Sequence, residues 1–264
     1  MNVLVIGNGA REHAIIYMLK KSPKIDKIYS IKPNAAIKKM TTALQIDLND
    51  GAKLRTAIVE NAIELVVVGP EKPLVDGIAD RIADICSVFG PTKAAAQLEG
   101  SKVFAKDFMN RYDIPTAACI VVNSAAAARQ KAVDFDFPHV WKVDGLAGGK
   151  GVFISNSASQ DEAIIEKLFV DRIFGDSANE VILEEFLAGE ELSVFALFDN
   201  HTYKYFSNAK DFKRAYDNNL GPNTGGMGAL SPIAVSEEES DQIDSIINKT
   251  FQGIKKEGLD YRGV

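Results

Sequence analysis

Residues 141–152 read WKVDGLAGGKGV, and the fold of the chain turns on how this stretch is taken. A β-type run, VWKV (140–143), carries Lys142. Four glycines (Gly145, Gly148, Gly149, Gly151) and Lys150 follow, and a second β-type run, VFIS (152–155), closes the segment. Two strands joined by such a loop form a flap whose backbone N–H groups can close over phosphate oxygens. Glycine suits that role because the turns need positive φ and close backbone approach. Lys142 and Lys150 add compact positive charge for the same oxygens. The same letters also describe a plain glycine hairpin with a solvated lysine, and the stretch by itself leaves both readings open.

Upstream, residues 1–90 alternate between apolar strands and helical patterns. VLVIG (3–7), KIYSI (27–31), ELVVVG (64–69) and SVFG (87–90) read as strands. Between them, Ala10, Ala14, Ile15, Met18 and Leu19 share one helical side, Asp50 caps a helix reaching about Val59, and residues 73–85 read as one further helix. Such alternation predicts a parallel sheet covered on both faces, with ligands taken at the carboxyl ends of the strands. Two loops fall there, Gly7–His13 and Gly69–Pro73. The first is close to the dinucleotide fingerprint GxGxxG. Glu12 replaces its third glycine, however, and the second strand ends in Ser30-Ile31-Lys32 with no acid for a ribose diol, which disfavours an NAD oxidoreductase. A helix N-terminus carrying Arg11 suits a small phosphorylated ligand instead. A structural tight turn is the alternative.

Downstream, Ser101 opens a helix, SKVFAKDFMNRY, that stops before Ile114-Pro115. ACIVV (118–122) is a strand and SAAAARQKAV a helix. After the flap come a helix near Asp161–Val170 and the strand VILEEFL (181–187). ELSVFALFD (191–199) and TYKYFS (202–207) form a two-stranded ribbon, residues 209–232 read as a loop, and Ser236–Lys256 as a last helix with Ile243, Ile246, Ile247 and Phe251 in phase. A two-stranded ribbon with one helix is rarely stable by itself.

Composition sets outer limits. The 264 residues are 46% hydrophobic and 25% charged, ordinary for a globular protein of one to three domains. A net charge of −6 gives no basic surface for nucleic acid. Cys86 and Cys119 lack metal-ligand spacing and sit in apolar surroundings, as buried thiols of a reducing compartment do. The N-terminus has no signal-peptide pattern and no window approaches membrane-spanning length. The expectation is a cytoplasmic protein that contacts neither membrane nor nucleic acid.

Five segments in order then resemble the phosphoribosylamine–glycine ligases of purine biosynthesis, members of the ATP-grasp superfamily: VLVIGNGAREHA (3–14), VVVGPEKPLVDG (66–77), FGPTKAAAQLEGSKVFAKDF (89–108), WKVDGLAGGKGV (141–152) and GPNTGGMGALSP (221–232). The resemblance spans essentially the whole chain, and GPNTGGMG is its most specific part. It implies an α/β fold: a Rossmann-like N-terminal substrate domain (1–100), a connector that begins the ATP-grasp fold (101–122), a small lid subdomain (123–190) and part of the C-terminal lobe (191–264). It implies that ATP phosphorylates the glycine carboxylate and that the amine of 5-phosphoribosylamine attacks the glycyl phosphate, giving glycinamide ribonucleotide, ADP and phosphate. Phosphoryl transfer needs mainly positioning and charge neutralisation, so no side-chain nucleophile is required. ATP and Mg2+, with Mn2+ able to stand in, are the implied cofactors. Glycine and phosphoribosylamine are the implied partners, and a monomer is the expected state.

Site residues follow from the same resemblance. Lys106 and Lys142 are expected at the ATP phosphates beneath the flap of Gly145, Gly148, Gly149, Lys150 and Gly151. Glu184, Glu185, Phe186 and Leu187 are expected to line the adenine, mostly through backbone groups, and Glu191 to take the ribose hydroxyls. In KDFKR (210–214), Asp211 is expected to receive the glycine ammonium while Lys213 and Arg214 neutralise the transferring phosphoryl; a surface charge cluster is the alternative. Asn223, Gly225 and Gly226 belong to a loop closing near the reacting centre. For phosphoribosylamine the candidates are Asn8, Gly9, Arg11, Glu12 and His13, with Glu71 and Lys72 nearby.

The sequence departs from the family pattern in places. Phe212 stands where a histidine is customary, Lys210 where a glutamine is, and Gly148 where alanine is. The family's glycine-asparagine-x-glycine loop reads Lys32-Pro33-Asn34-Ala35-Ala36. Its Glu-x-Asn metal segment falls beyond the point matching Val264, so no metal ligand is expected in these residues and the chain is expected to be a fragment. Two other readings stay open: an ATP-binding fragment without turnover, and another ATP-grasp purine enzyme. GPNTGGMG and GNGxREHA argue against the second.

Overall fold

The computed structural model describes residues 1–147, 150–218 and 220–264, with Asn223 described for its main chain alone. The chain divides into two compact units, Met1–Glu99 with Gly258–Gly263, and Gly100–Glu257 with Val264.

Unit 1 contains, in chain order, β1 (Asn2–Ile6), α1 (Ala10–Leu19), β2 (Lys27–Ile31), α2 (Ala35–Lys38), β3 (Thr42–Leu44), α3 (Gly51–Glu60), β4 (Ile63–Val68), α4 (Glu71–Val75), α5 (Ile78–Ile82) and β5 (Ser87–Phe89). The strands form one parallel sheet in the order β3-β2-β1-β4-β5. Alternation along β1 sends Leu4 and Ile6 to a core with Leu54, Ile58, Ile78 and Ile82, and Val3 and Val5 to a second core with Ile16, Ile28 and Ile37. Both faces are therefore buried, as a parallel sheet requires. Gly258–Gly263 returns to this unit, where the Thr92 N–H donates to Asp260 O at 3.0 Å.

Two features differ from the sequence reading. Residues 73–85 form not one helix but two, because Gly77 between them adopts φ +81, a left-handed turn that ends α4 and opens α5. The short α2 and β3 also lie in a stretch with no strong periodicity. Asn34 starts α2 by accepting the Ala36 and Ile37 N–H groups, each at 2.9 Å.

Past the short helix α6 (Gln97–Gly100), unit 2 opens with α7 (Lys102–Arg111), capped by Ser101. Then come β6 (Cys119–Val122), α8 (Ala125–Ala132), β7 (His139–Val143), β8 (Val152–Ser155), α9 (Ala158–Ile165) with a π-helical turn (Glu166–Val170), and β9 (Val181–Glu185). These strands make an antiparallel sheet in the order β6-β9-β7-β8. One face carries Val122, Trp141, Val143, Val181 and Leu183 into a core with Ala128, Ile164, Ile165 and Leu168 of the helices. On the opposite face Val140, Ile182 and Glu184 of the central strands are buried, while Val121, Val152 and Ile154 of the edge strands are exposed.

A second antiparallel sheet, β10-β11-β12, consists of β10 (Ser193–Phe198), β11 (Tyr203–Tyr216) and β12 (Leu220–Leu230), followed by α10 (Glu237–Lys256). The loop expected at 209–232 is mostly strand. Lys210 pairs with Leu230, Asp211 with Ala229 and Phe212 with Gly228, so KDFKR and GPNTGGMG are the two arms of one hairpin. Glycine disguises a strand because it contributes no side-chain packing, while pairing with a long neighbour still satisfies its backbone. The expected two-stranded ribbon is accordingly three-stranded.

Candidate nucleotide site

Antiparallel register builds the centre of the site. Glu184 on β9 lies opposite Cys119 on β6 and Val140 on β7, and Lys142 lies opposite Ile182. Residues opposite one another share a face, so Cys119, Glu184, Val140 and Lys142 all stand on the side of the sheet away from the helices α8 and α9. Lys106 reaches the same place from α7. Its ammonium ion pairs with Glu184 Oε2 at 2.8 Å, and Lys142 pairs with Glu184 Oε1. Glu184 is 4% exposed and Lys106 8%. One carboxylate thus holds two cations, leaving a net positive charge that reaches solvent through the half-buried Lys142, the polarity that polyanion binding needs.

The lysines are set in position from both ends. The Asp144 carboxylate, just past Lys142, accepts the Ser101 hydroxyl at 3.0 Å and the Val103 N–H at 2.7 Å, tying the flap base to the first turn of α7. Lys102 Nζ donates to Asp144 O at 3.2 Å. Behind the sheet, Asp161 Oδ1 accepts Trp141 Nε1 at 2.7 Å and bonds His139 Nε2 at 2.8 Å, anchoring β7 to α9. The Val143 N–H donates to Gly151 O at 2.9 Å, closing the flap, and Lys150 is exposed. Gly148 and Gly149 lie outside the described residues. Cys119 is half-buried beside this charge cluster; burial is the larger influence and pushes its thiol up, while Lys106 pulls the other way.

Beyond β9, Phe186 and Leu187 are exposed at the end of the strand. Glu185 turns away from the lysines, its Oε1 accepting the Ala118 N–H at 2.8 Å. Glu191, expected at the ribose, pairs with Lys213, and Glu190 with Lys210 at 2.8 Å. Asp211 is 3.9 Å from Lys213. Arg214 Nη1 donates to Gly221 O at 2.8 Å. The structure therefore brings Glu191, Asp211 and Lys213 into one charged group. Thr224, which the sequence did not single out, stabilises the hairpin: its hydroxyl donates to Lys213 O at 2.9 Å and accepts the Gly226 N–H at 3.1 Å. Gly225 is exposed on the same strand; the Asn223 side chain lies outside the described residues.

In unit 1 the two glycine-containing loops follow β1 and β4, the neighbouring strands at which the order reverses. Asn8 and Gly9 are exposed there, and Asn8 O accepts Asn34 Nδ2 at 2.6 Å. Glu12 is buried. Its carboxylate accepts the Gly9 N–H at 2.7 Å and Arg11 Nε at 3.0 Å, and it packs so closely that a methyl group at Gly69 would overlap it. That carboxylate braces the two loops from within and is 3% exposed. Arg11 also lies 3.8 Å from Glu71. His13 is half-buried in the first turn, and Lys72 is drawn to Asp76 at 2.9 Å.

No group of three or more His, Cys, Asp or Glu among the described residues is arranged to hold a metal ion. No helix among them is long and apolar enough to cross a membrane.

Comparison with known proteins agrees with this geometry. Residues 1–99 match the family described as phosphoribosylglycinamide synthetase, N domain, and residues 100–264 match its ATP-grasp (A) domain. The phosphoribosylamine–glycine ligase of Mesorhizobium japonicum is 43% identical over 267 residues, covering 100% of this chain and 63% of the relative. The crystal structure of phosphoribosylamine–glycine ligase from Thermotoga maritima superposes with a TM-score of 0.85 at 35% identity, over 100% of this chain and 63% of that one. The biotin carboxylase domain of Hydrogenobacter thermophilus 2-oxoglutarate carboxylase, solved with MgADP and bicarbonate, shares the fold alone: TM-score 0.75 at 17% identity, over 98% of this chain and 58% of that one. The chain spans about 63% of the length of the ligases it matches. A parallel-sheet domain followed by an ATP-grasp fold, with both family matches end to end, places the chain in the phosphoribosylglycinamide synthetase family.

Proposed function

We propose that the whole protein joins glycine to 5-phosphoribosylamine with ATP, through a glycyl phosphate, giving glycinamide ribonucleotide, ADP and phosphate. The observation that carries this reading is the Lys106–Glu184–Lys142 cluster on the β6-β9-β7-β8 sheet, at the base of the flap. Lys106, Lys142 and Lys150 are the cations for the phosphates, with residues 123–190 as the lid. The main chain of Phe186 and Leu187 meets the adenine, and Glu191 exchanges Lys213 for the ribose hydroxyls. Release of Lys213 from Glu191 then supplies, with Arg214, the charge that neutralises the phosphoryl in flight, while Asp211 receives the glycine ammonium. Asn8, Gly9, Arg11 and Glu71 are the proposed contacts of phosphoribosylamine. Mg2+, or Mn2+ in its place, belongs to the same reading, as do a cytoplasmic setting and a monomeric state. Among the described residues the carboxylates are not grouped to hold the ion.

The test is ADP release by the whole protein in the presence of each substrate alone and of both. Release that requires glycine and phosphoribosylamine together is expected. ATP binding with no turnover under any combination would instead mark a nucleotide-binding module, and turnover with bicarbonate or formate another ATP-grasp enzyme.

A further inference from the structure

Lys106 has no proton to spare. Its ammonium donates to Thr116 Oγ1 at 2.8 Å and Ala117 O at 2.9 Å, and its contact with Glu184 Oε2 is 2.8 Å. An ammonium carries three N–H groups, so every donor is committed. Lys142 is different: its side chain is 31% exposed, and its one ion pair among the described residues is with Glu184. A phosphate oxygen can approach Lys142 directly. At Lys106 it must replace an acceptor already in place.

The three acceptors are unequal. Glu184 balances a buried positive charge, and removing a buried counter-charge is strongly unfavourable. Ala117 O belongs to a buried residue whose bond to Lys106 is fully enclosed, so abandoning it would strand a carbonyl away from water. Thr116 offers a neutral hydroxyl on a half-buried side chain, and its bond to Lys106 lies at the partly open edge of the cluster. That hydroxyl can turn about χ1 and meet water instead. We propose that Thr116 is a positioning residue that parks Lys106 in the empty site and is the acceptor the lysine gives up when a nucleotide phosphate arrives. This inference rests on the nucleotide-site reading above.

A competing acceptor weakens the ligand it competes with. Thr116→Val keeps the side-chain shape, removes the acceptor, and leaves one buried N–H of Lys106 unpaired until phosphate satisfies it. Calorimetric titration of ATP into the whole protein should therefore show binding tighter by roughly tenfold in Thr116→Val, the factor carried by one charge-assisted hydrogen bond. Thr116→Ser retains the hydroxyl and should match the original chain. The variant should also melt at a lower temperature when empty and gain more from saturating ATP, which a merely structural loss would not produce. In a Lys106→Met background the Thr116→Val effect should vanish. Thr116→Ala removes the same acceptor and gives the same test should the valine variant fail to fold. An original chain that binds no ATP overturns the nucleotide-site reading and this inference with it. ATP binding that is unchanged or weaker in Thr116→Val, or a gain that survives Lys106→Met, overturns this inference alone.

Discussion

Glu184 decides what the site can do, because a buried carboxylate bound to two lysines fixes both in place before any ligand is present. Charge gathered in advance leaves little to rearrange for an incoming phosphate: Lys142 is approached directly, and at Lys106 the change is confined to one hydrogen bond. The support behind it is equally residue-specific. Asp161 accepts two buried donors with one oxygen, and Trp141 is the only tryptophan in the chain. Replacing Asp161 by alanine strands both donors and should lower stability by about 3 kcal/mol. Chemical denaturation followed by Trp141 fluorescence would measure it, and a loss below about 1 kcal/mol would contradict the anchoring role. Cys119, whose thiol burial pushes up, should hold less thiolate at neutral pH than a free cysteine and alkylate more slowly. Alkylation at or above the free-thiol rate would contradict the dominance of burial over Lys106.

At the scale of elements, caps and turns set the boundaries, and they differ in how visible they are in sequence. Ser236 and Glu239 form a reciprocal capping box on α10, with the Ser236 N–H donating to Glu239 Oε2 at 2.7 Å and holding that carboxyl below its usual range. The sign follows from the lowered value: the stabilisation is fully present above the ordinary glutamate pKa of about 4.3 and is lost as pH falls through the folded value. Glu239→Gln should therefore lose less melting temperature than the original chain between neutral and strongly acid pH; parallel curves would argue against the cap. Gly77→Ala forces a side chain into a left-handed turn and should cost about 1–2 kcal/mol in denaturant unfolding. The apolar strands β1, β2 and β4 were legible because buried parallel strands are continuous hydrophobic runs, and the caps at Asp50, Ser101 and Ser236 because they precede periodic segments. The break at Gly77 was not, since the flanking apolar residues keep helical phase across it. The β11–β12 hairpin was hidden by its glycines. In the site, each of Lys106, Lys142 and Glu184 was named from sequence, but their mutual ion pairs were not, and neither were Thr116, Ala117 and Asp144, which act through distances that no spacing encodes.

For the molecule as a whole, two units fold around separate cores, and the family matches divide at the same residue, 99 against 100. Fold and family were legible at this scale because five motifs occur in a fixed order, a pattern that holds even where single strands are misread. The relatives are longer than this chain, which spans about 63% of them, so the property to isolate is the one its own residues would build: the proposed ATP site over Lys142 and Glu184. The most direct measurement is ATP affinity of the chain with and without Lys142. Lys142→Met removes the exposed cation while Lys106 still balances Glu184, so binding should weaken by roughly thirtyfold, about 2 kcal/mol for a charge-assisted contact. The melting temperature should be unchanged. Equal ATP affinity in the two proteins would contradict the site described here.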